Sequence, residues 1–393
     1  MKKHIAMVSV PAHGHINPTL PLVDELTRRG HRVSYATGET MLETVEAAGA
    51  APVRMPSQLP DVSLVQNRAM SIETLLSMMS FMRDQVTDAF PVLQEHFRAD
   101  PPEVICTDMM SVVGRMLADK LGTRDVALLP SFAANEHFDL HDRMAQHVDF
   151  TDPRMQQSQQ EFAALGERFG VRTELMSMRS EPAPVNLVFL PNRLQPAAET
   201  FDERYHFIGP CLGRRAEQDY HPADEQAPLL FVSLGTAFNH RPDFYRLCLE
   251  AFADSRWQVA MSIGGTVEAS ELGTIPGNID IRPSFPQPGV LRRASAFITH
   301  NGMGSTMEAL YYGVPQLGLP QMPEQEANAD RVAELGLGKR LDENLLDADR
   351  LRAAVEQLAA DEQVRDNLAE MREHVRGAGG PIAGADIIEN QAA

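Results

Sequence analysis

Two histidines stand one residue apart in the run PAHGHINP, residues 11–18, directly after the apolar stretch of residues 4–10. Histidine titrates near neutral pH, so a ring placed at the end of a strand can take a proton from a substrate hydroxyl. Position alone does not choose between His13 and His15. Such a base works better when a carboxylate fixes its tautomer and stabilises the imidazolium. Asp108 follows the apolar run 103–107 and is the candidate partner. The plainer readings are a histidine that caps a helix and an acid that merely stops a strand.

A second constellation spans residues 299–330, THNGMGSTMEALYYGVPQLGLPQMPEQEANAD. A strand, a flexible turn and a short helix over 305–312 ended by Gly313 bring His300, Ser305 and Thr306 to one helix start, where unpaired amides suit phosphate oxygens. The turn SLGT, residues 233–236, and the pair Gly264 and Gly265 close two other strands. Each turn alone reads equally as tight packing, but three at one sheet edge favour an anionic ligand. Glu324 and Gln325, in a proline-bounded loop, offer acceptors and donors suited to sugar hydroxyls; a helix start favoured by the dipole is the alternative. Glu308 either holds a ribose diol or faces water.

The elements that must position these groups alternate strand and helix. Residues 4–10 read as a buried strand and 17–30 as a helix, with Asn17 as cap, Pro18 in the first position, Leu22, Val23 and Leu26 on one face and Gly30 at the end. Gly14 lets the backbone turn sharply between them. A strand at 32–36, a helix at 41–49 and strands at 103–107, 126–129 and 186–190 continue the pattern, with helical stretches over about 65–97 and 135–178. A polar, proline-containing linker covers 211–228. Strands then restart at 229–233, 257–262, 279–282, 296–299 and 316–319. This is an α/β chain of two parallel-sheet domains, with ligands expected at the carboxyl ends of the strands. Methionines 70, 78, 79 and 82 read either as core or as an adaptable apolar pocket.

Composition excludes several classes. A formal charge of −19 over 393 residues argues against nucleic acid or an anionic membrane as partner. The three cysteines show no paired or metal-type spacing. The N-terminal apolar run is too short for a signal peptide, and no segment approaches the ~20 apolar residues of a membrane span, so a soluble cytoplasmic protein is expected. Walker, zinc and GxGxxG signatures are absent, and the DAD triplet at 347–349 reads as a helix cap.

With these motifs in view, the chain resembles the family 1 glycosyltransferases that use nucleotide-activated sugars, of the bacterial macrolide and flavonoid type. The resemblance runs nearly end to end, carried by PAHGHINPTLPLVDELTRRGHRVSYAT, FVSLGTAF, PQPGVLRRASAFITHNGMGSTMEALYYGVPQLGLPQMPEQEANADRV and ELGLG. It implies a GT-B architecture, two Rossmann-like domains facing across a cleft: acceptor domain 1–210, linker 211–228, donor domain 229–375, and a segment 376–393 returning to the first. It implies His15 as general base with Asp108 as its acid, and phosphate contacts from His300, Ser305, Thr306 and Thr236. Glu308 matches the ribose-binding acid, and Glu324 and Gln325 match the pair that reads sugar hydroxyls. Gln287, Gly302 and Gly304 complete the donor motif, and Phe132 joins the methionines at the acceptor pocket.

The implied reaction is inverting, metal-independent transfer of a hexose, glucose by resemblance, from a UDP-sugar to a hydroxyl of a hydrophobic acceptor such as a macrolide, flavonoid or other phenol, with no cofactor. Three departures shift base and sugar selectivity: Ser284, followed by Phe285, stands where many members have a stacking Trp; the usual Asp-Gln pair is Glu324-Gln325; and Gly304 replaces an Asn. A nucleotide-sugar epimerase and a non-catalytic partner protein are the competing readings. The first wants more charged groups facing the sugar, and the second expects loss of the base or donor residues.

Overall fold

The structure, a computed structural model, describes residues 2–57, 59, 71–144, 148–172 and 181–392. The chain forms two compact units, Met1–Gly213 with Ala378–Ala393, and Arg214–Gly377.

In the first unit the N-terminal apolar run becomes β1 (His4–Val8), buried along its whole length. Strand alternation sends Ile5 and Met7 into one core and Ala6 and Val8 into another. β2 (Arg32–Thr37) and β3 (Ala51–Arg54) lie on one side. β4 (Val104–Asp108), β5 (Arg124–Leu129), β6 (Val185–Val188) and β7 (Tyr205–Phe207) lie on the other. The order is β3-β2-β1-β4-β5-β6-β7, and every pairing is parallel. The winding therefore reverses between β1 and β4, a switch point of the kind where α/β sheets bind ligands.

Helices cover both faces. α1 (His13–Ile16), α2 (Leu20–Arg28) and α3 (Leu42–Ala47) follow the first strands. The expected helix from 17 to 30 is realised as α2 alone, which starts at Leu20 with Pro21 in its first turn and leaves Pro18 outside it. Asn17 closes α1 instead of capping α2, whose N-cap is Thr19. Leu22, Val23 and Leu26 are fully buried as expected. Gly14 lies inside α1 without a positive φ, so the sharp turn assigned to it is not needed.

α4 (Ile72–Ala99) is capped by Ser71, whose hydroxyl accepts from the Thr74 amide. It packs Phe90, Leu93 and Phe97 beneath β1 and β4, each burial contributing roughly 1.5–3 kcal/mol. α5 (Val112–Leu121), α6 (Leu140–Met144) and α7 (Pro153–Phe169) complete the unit's central part. The expected stretch 135–178 is broken, because Asp152 caps a fresh helix start.

The second unit repeats the plan with β8 (Leu229–Ser233), β9 (Gln258–Ser262), β10 (Ile279–Arg282), β11 (Ala294–Thr299), β12 (Gln316–Gly318) and β13 (Gly338–Arg340). Its order is β10-β9-β8-β11-β12-β13, all parallel, with the switch point between β8 and β11. Phe231 and Phe297 stack at 4.9 Å across that pair. The helices are α8 (Pro242–Phe252), α9 (Gln287–Leu291), α10 (Met303–Tyr312), α11 (Pro323–Glu334), α12 (Ala348–Ala360) and α13 (Glu362–Gly377). Asp347 caps α12, as its triplet predicted.

α14 (Gly380–Gln391) belongs to the first unit. Ala385 and Ile388 enter the core that holds Ile5 and Leu22. Arg29 bridges Asp386 at 2.5 Å, and Glu389 and Glu25 at 2.7 Å, while His31 meets Glu389 at 2.7 Å. Arg28, then Arg29, pulls the Glu25 carboxyl down to about 2 against the effect of burial. Among the described residues no helix is long and apolar enough to cross a membrane.

Candidate active site

The first switch point carries the histidine and the acid. Asp108 ends β4, and its fixed geometry is local: Oδ1 accepts from the Met110 amide at 2.9 Å and its carbonyl from the Ser111 amide at 2.8 Å. On the other side of the switch point, the chain leaving β1 forms the single turn α1. That turn is closed by Thr19, whose hydroxyl donates to the Ile16 carbonyl and is bonded to the Tyr35 hydroxyl of β2, each at 2.8 Å. These constraints bring His15 Nδ1 to 2.7 Å from Asp108 Oδ2. The carboxylate is fully buried and the ring a quarter exposed. A carboxylate in its ionised form can only accept, an arrangement that places the ring proton on Nδ1. His13 is exposed on the same turn. Of the two histidines, His15 is the one hydrogen-bonded to Asp108.

The second switch point carries His300 and the start of α10. His300 follows β11, and its ring lies between Gly235, after β8, and Gly302. A Cβ at either glycine would stand 2.5 or 2.4 Å from His300 Nε2, and Gly235 also has a φ of +78°. Only glycine suits both demands. Burial lowers His300 to about 4, so the free ring is neutral at pH 7 and offers a hydrogen bond without a charge. Asn301 takes a left-handed φ of 56° to turn the chain into α10, and no side chain caps that helix. Hydrogen bonding within it begins at Thr306 N to Gly302 O, so the amides of Met303, Gly304 and Ser305 lack intrahelical acceptors. Thr306 Oγ1 is buried without a hydrogen-bond partner. Ser305 Oγ accepts from Gln287 Nε2 at 3.1 Å, and Thr236 is exposed in the turn after β8. Gly264 is held against Asn239, whose amide would lie 2.2 Å from an added Cβ, so this glycine serves tight packing.

Other expectations change. Glu308 does not face water: it is 5% exposed, with Oε2 accepting from Gln287 and Oε1 paired to Arg215, both at 2.8 Å. Glu324 and Gln325 occupy the first turn of α11 instead of a loop. There Gln325 Oε1 accepts from the Gln321 amide at 2.8 Å and Glu324 Oε1 from Asn328 at 3.2 Å. Ser284 is exposed. Phe285 packs edge-on against Tyr220 and Phe231, with the Arg282 guanidinium 4.9 Å from its ring centre.

Of the methionines, Met79 is a core residue, buried with Leu75 and Val86, and the pocket reading fails for it because α4 turns it inward. Met82 borders that core and Met78 is half-buried. Met70 lies outside the described residues. Phe132 is buried after β5, edge-on to Phe138 at 5.8 Å.

Sequence reasoning missed Arg215, hidden in the stretch read as linker, where its only signal was an Arg-Arg pair among acids. It also missed Arg241, which bonds Gln321 at 2.5 Å and pairs with Glu343, bracing the loop before Glu324.

One parallel sheet carries a histidine hydrogen-bonded to a buried carboxylate, and the other an open helix start beside a buried histidine. Residues 250–389 match the family model described as Erythromycin biosynthesis protein CIII-like, C-terminal domain. The NDP-glycosyltransferase YjiC of Bacillus licheniformis is 38% identical over 98% of this chain and 97% of its own length. The demethyllactenocin mycarosyltransferase of Streptomyces fradiae is 34% identical over 98% and 86%. The solved structure of CalG4, the calicheamicin glycosyltransferase, covers 100% of this chain and 98% of its own at 34% identity, with a TM-score of 0.87. The chain belongs to the GT-B glycosyltransferases of the macrolide and NDP-sugar type, enzymes that join a nucleotide-sugar donor to a small-molecule acceptor.

Proposed function

We propose that the enzyme transfers a hexose, glucose in the first instance, from a UDP-sugar to a hydroxyl of a hydrophobic acceptor, a macrolide, flavonoid or other phenol, with inversion and without a metal or other cofactor. The observation that carries this reading is the His15–Asp108 hydrogen bond of 2.7 Å at the first switch point. His15 Nε2 takes the acceptor's hydroxyl proton, the oxygen attacks the anomeric carbon, and the bond from that carbon to the diphosphate oxygen breaks with its electron pair on the leaving group. The new charge is met by the α10 amides, the His300 ring and the hydroxyls of Thr236, Ser305 and Thr306, groups that stabilise developing negative charge without a cation. Glu308 takes the ribose diol, and Glu324 and Gln325 read the sugar hydroxyls. Nucleotide sugars are cytoplasmic metabolites, and we place the enzyme there.

The test is to incubate the protein with UDP-glucose, with and without EDTA, against flavonoids and macrolides, following products by mass spectrometry. A hexose added in the presence of EDTA is the expected result. No product from any acceptor, with UDP still bound tightly, would overturn the choice of donor sugar. Activity abolished by EDTA and restored by magnesium would overturn the metal-free step.

A further inference from the structure

Arg215 lies in the short turn Gly213–Glu217, outside the motifs that assign the donor residues. Its Nη1 is 2.8 Å from Glu308 Oε1, and the Glu308 side chain is 6% exposed. The second oxygen accepts from Gln287 Nε2 at 2.8 Å, and the same nitrogen reaches Ser305 Oγ. Around the carboxyl, α10 buries Met307, Ala309 and Leu310. Burial pushes Glu308 up, and the first group opposing that shift is the Arg215 guanidinium. Tyr312, on the same helix, feels the Glu308 charge. The α13 arginines face elsewhere, Arg365 towards the Ala359 carbonyl, Arg372 towards Gly313 and Arg376 towards the Tyr311 ring, and Glu324 of α11 meets Asn328.

A carboxylate has about four acceptor positions. Arg215 and Gln287 use one on each oxygen, which leaves one on each for a pair of neighbouring hydroxyls. A protonated carboxyl would present a donor at one of those places.

We propose that Arg215 is a positioning residue for donor binding: its guanidinium keeps Glu308 a carboxylate in one orientation, so that both oxygens accept the ribose diol of the nucleoside diphosphate. This rests on the reading of Glu308 as the ribose acid.

Calorimetry with UDP, dTDP and inorganic pyrophosphate tests it on the wild type, Arg215→Gln, Arg215→Lys and the double variant Arg215→Gln, Glu308→Gln, each checked for cooperative thermal unfolding. With a charged hydrogen-bond partner lost, Arg215→Gln should bind UDP roughly tenfold more weakly at pH 7. The loss should shrink as pH rises and Glu308 ionises, and it should be smaller for dTDP, which lacks the 2′-hydroxyl. Pyrophosphate affinity should not change, Arg215→Lys should stay within about threefold of wild type because the charge is kept, and the double variant should show no pH dependence. Unchanged UDP affinity in Arg215→Gln overturns the proposal, and so does a loss that is flat with pH and equal for pyrophosphate, the mark of a merely structural role. A wild type that binds pyrophosphate but gains nothing from the ribose of UDP overturns the reading of Glu308 itself.

Discussion

Replacing Asp108 by asparagine leaves shape and volume nearly intact and changes one thing, the proton inventory of the His15 ring. Asp108 Oδ1 accepts from the Met110 amide while Oδ2 faces His15 Nδ1 at 2.7 Å. If the carboxamide oxygen keeps the Met110 bond, its NH2 points at Nδ1. Two donors cannot share that contact, so the ring proton moves to Nε2 and the base is lost. The flipped amide sets its NH2 against the Met110 N–H and leaves a buried donor unsatisfied, at about 1–3 kcal/mol. The preferred outcome is therefore the wrong tautomer. General-base catalysis is worth about 10²–10⁴ in rate, or about 3–5 kcal/mol in the barrier, and kcat should fall by that much. UDP binding is expected from second-unit residues and should hold within about twofold. Steady-state kinetics, UDP calorimetry and thermal unfolding on one preparation separate these effects. Turnover within threefold of wild type, in a folded protein, would refute the assignment of His15 and Asp108.

Acid sensitivity should trace partly to His300. Its folded value of about 4 lies below the ordinary 6.5, so between those limits the unfolded chain binds more protons and stability falls as pH drops from 6.5 towards 4. The effect is on the order of 3 kcal/mol, and urea midpoints at pH 7 and 5 should differ less in His300→Gln than in wild type; equal differences would sink it. Gly235→Ala should displace the His300 ring, whose Nε2 lies 2.5 Å from the new Cβ. The left-handed φ adds about 1–2 kcal/mol; UDP affinity should drop about tenfold in a still-folded protein, and calorimetry showing no change would remove His300 from the donor site. Arg29→Ala should free the α14 contacts to Asp386 and Glu389 and leave Glu25 paired with Arg28 alone. A loss of roughly 1–2 kcal/mol is expected, seen as a lower Tm and earlier cleavage of the C-terminal tail by protease; an unmoved Tm would show that apolar packing and the His31–Glu389 contact suffice to hold α14.

How legible an element was depended on its place in the sheet. Strands β1, β4, β8 and β11 flank the switch points and are buried on both faces, so their sequences are continuous apolar runs that stand out. β3 and β7 end the first sheet and β13 the second. Ala51–Arg54 contains a proline and is mostly exposed, and Gly338–Arg340 carries two cations; edge strands tolerate such residues and so escape a pattern search. The site was legible where a motif fixes backbone, as with the glycines around His300. It was not legible where a long side chain reaches across sequence, as with Arg215 to Glu308 and Arg241 to Gln321. No local period encodes such a reach. Met79 shows the converse, since a methionine-rich helix has the same composition whether a given residue turns to a ligand or to the core.

The placement of chemistry also explains why each half of the reaction should fail separately. His15 and Asp108 are held by α1, Thr19, Tyr35 and the Asp108 turn, all within the first unit. The helix start, His300, Glu308 and their supports Gly235, Gln287 and Arg215 all lie in the second. A base needs only to be oriented, which one buried carboxylate does. In the proposed reaction the leaving diphosphate calls for many weak donors aimed at one place, the role proposed for the helix start with glycine on both sides of a histidine. Substitutions in the first set should therefore cost turnover with nucleotide affinity retained, and substitutions in the second should cost nucleotide affinity with the His15 tautomer intact. A variant of the Asp108 turn that abolished UDP binding would break this separation and with it the division of labour argued from the two switch points.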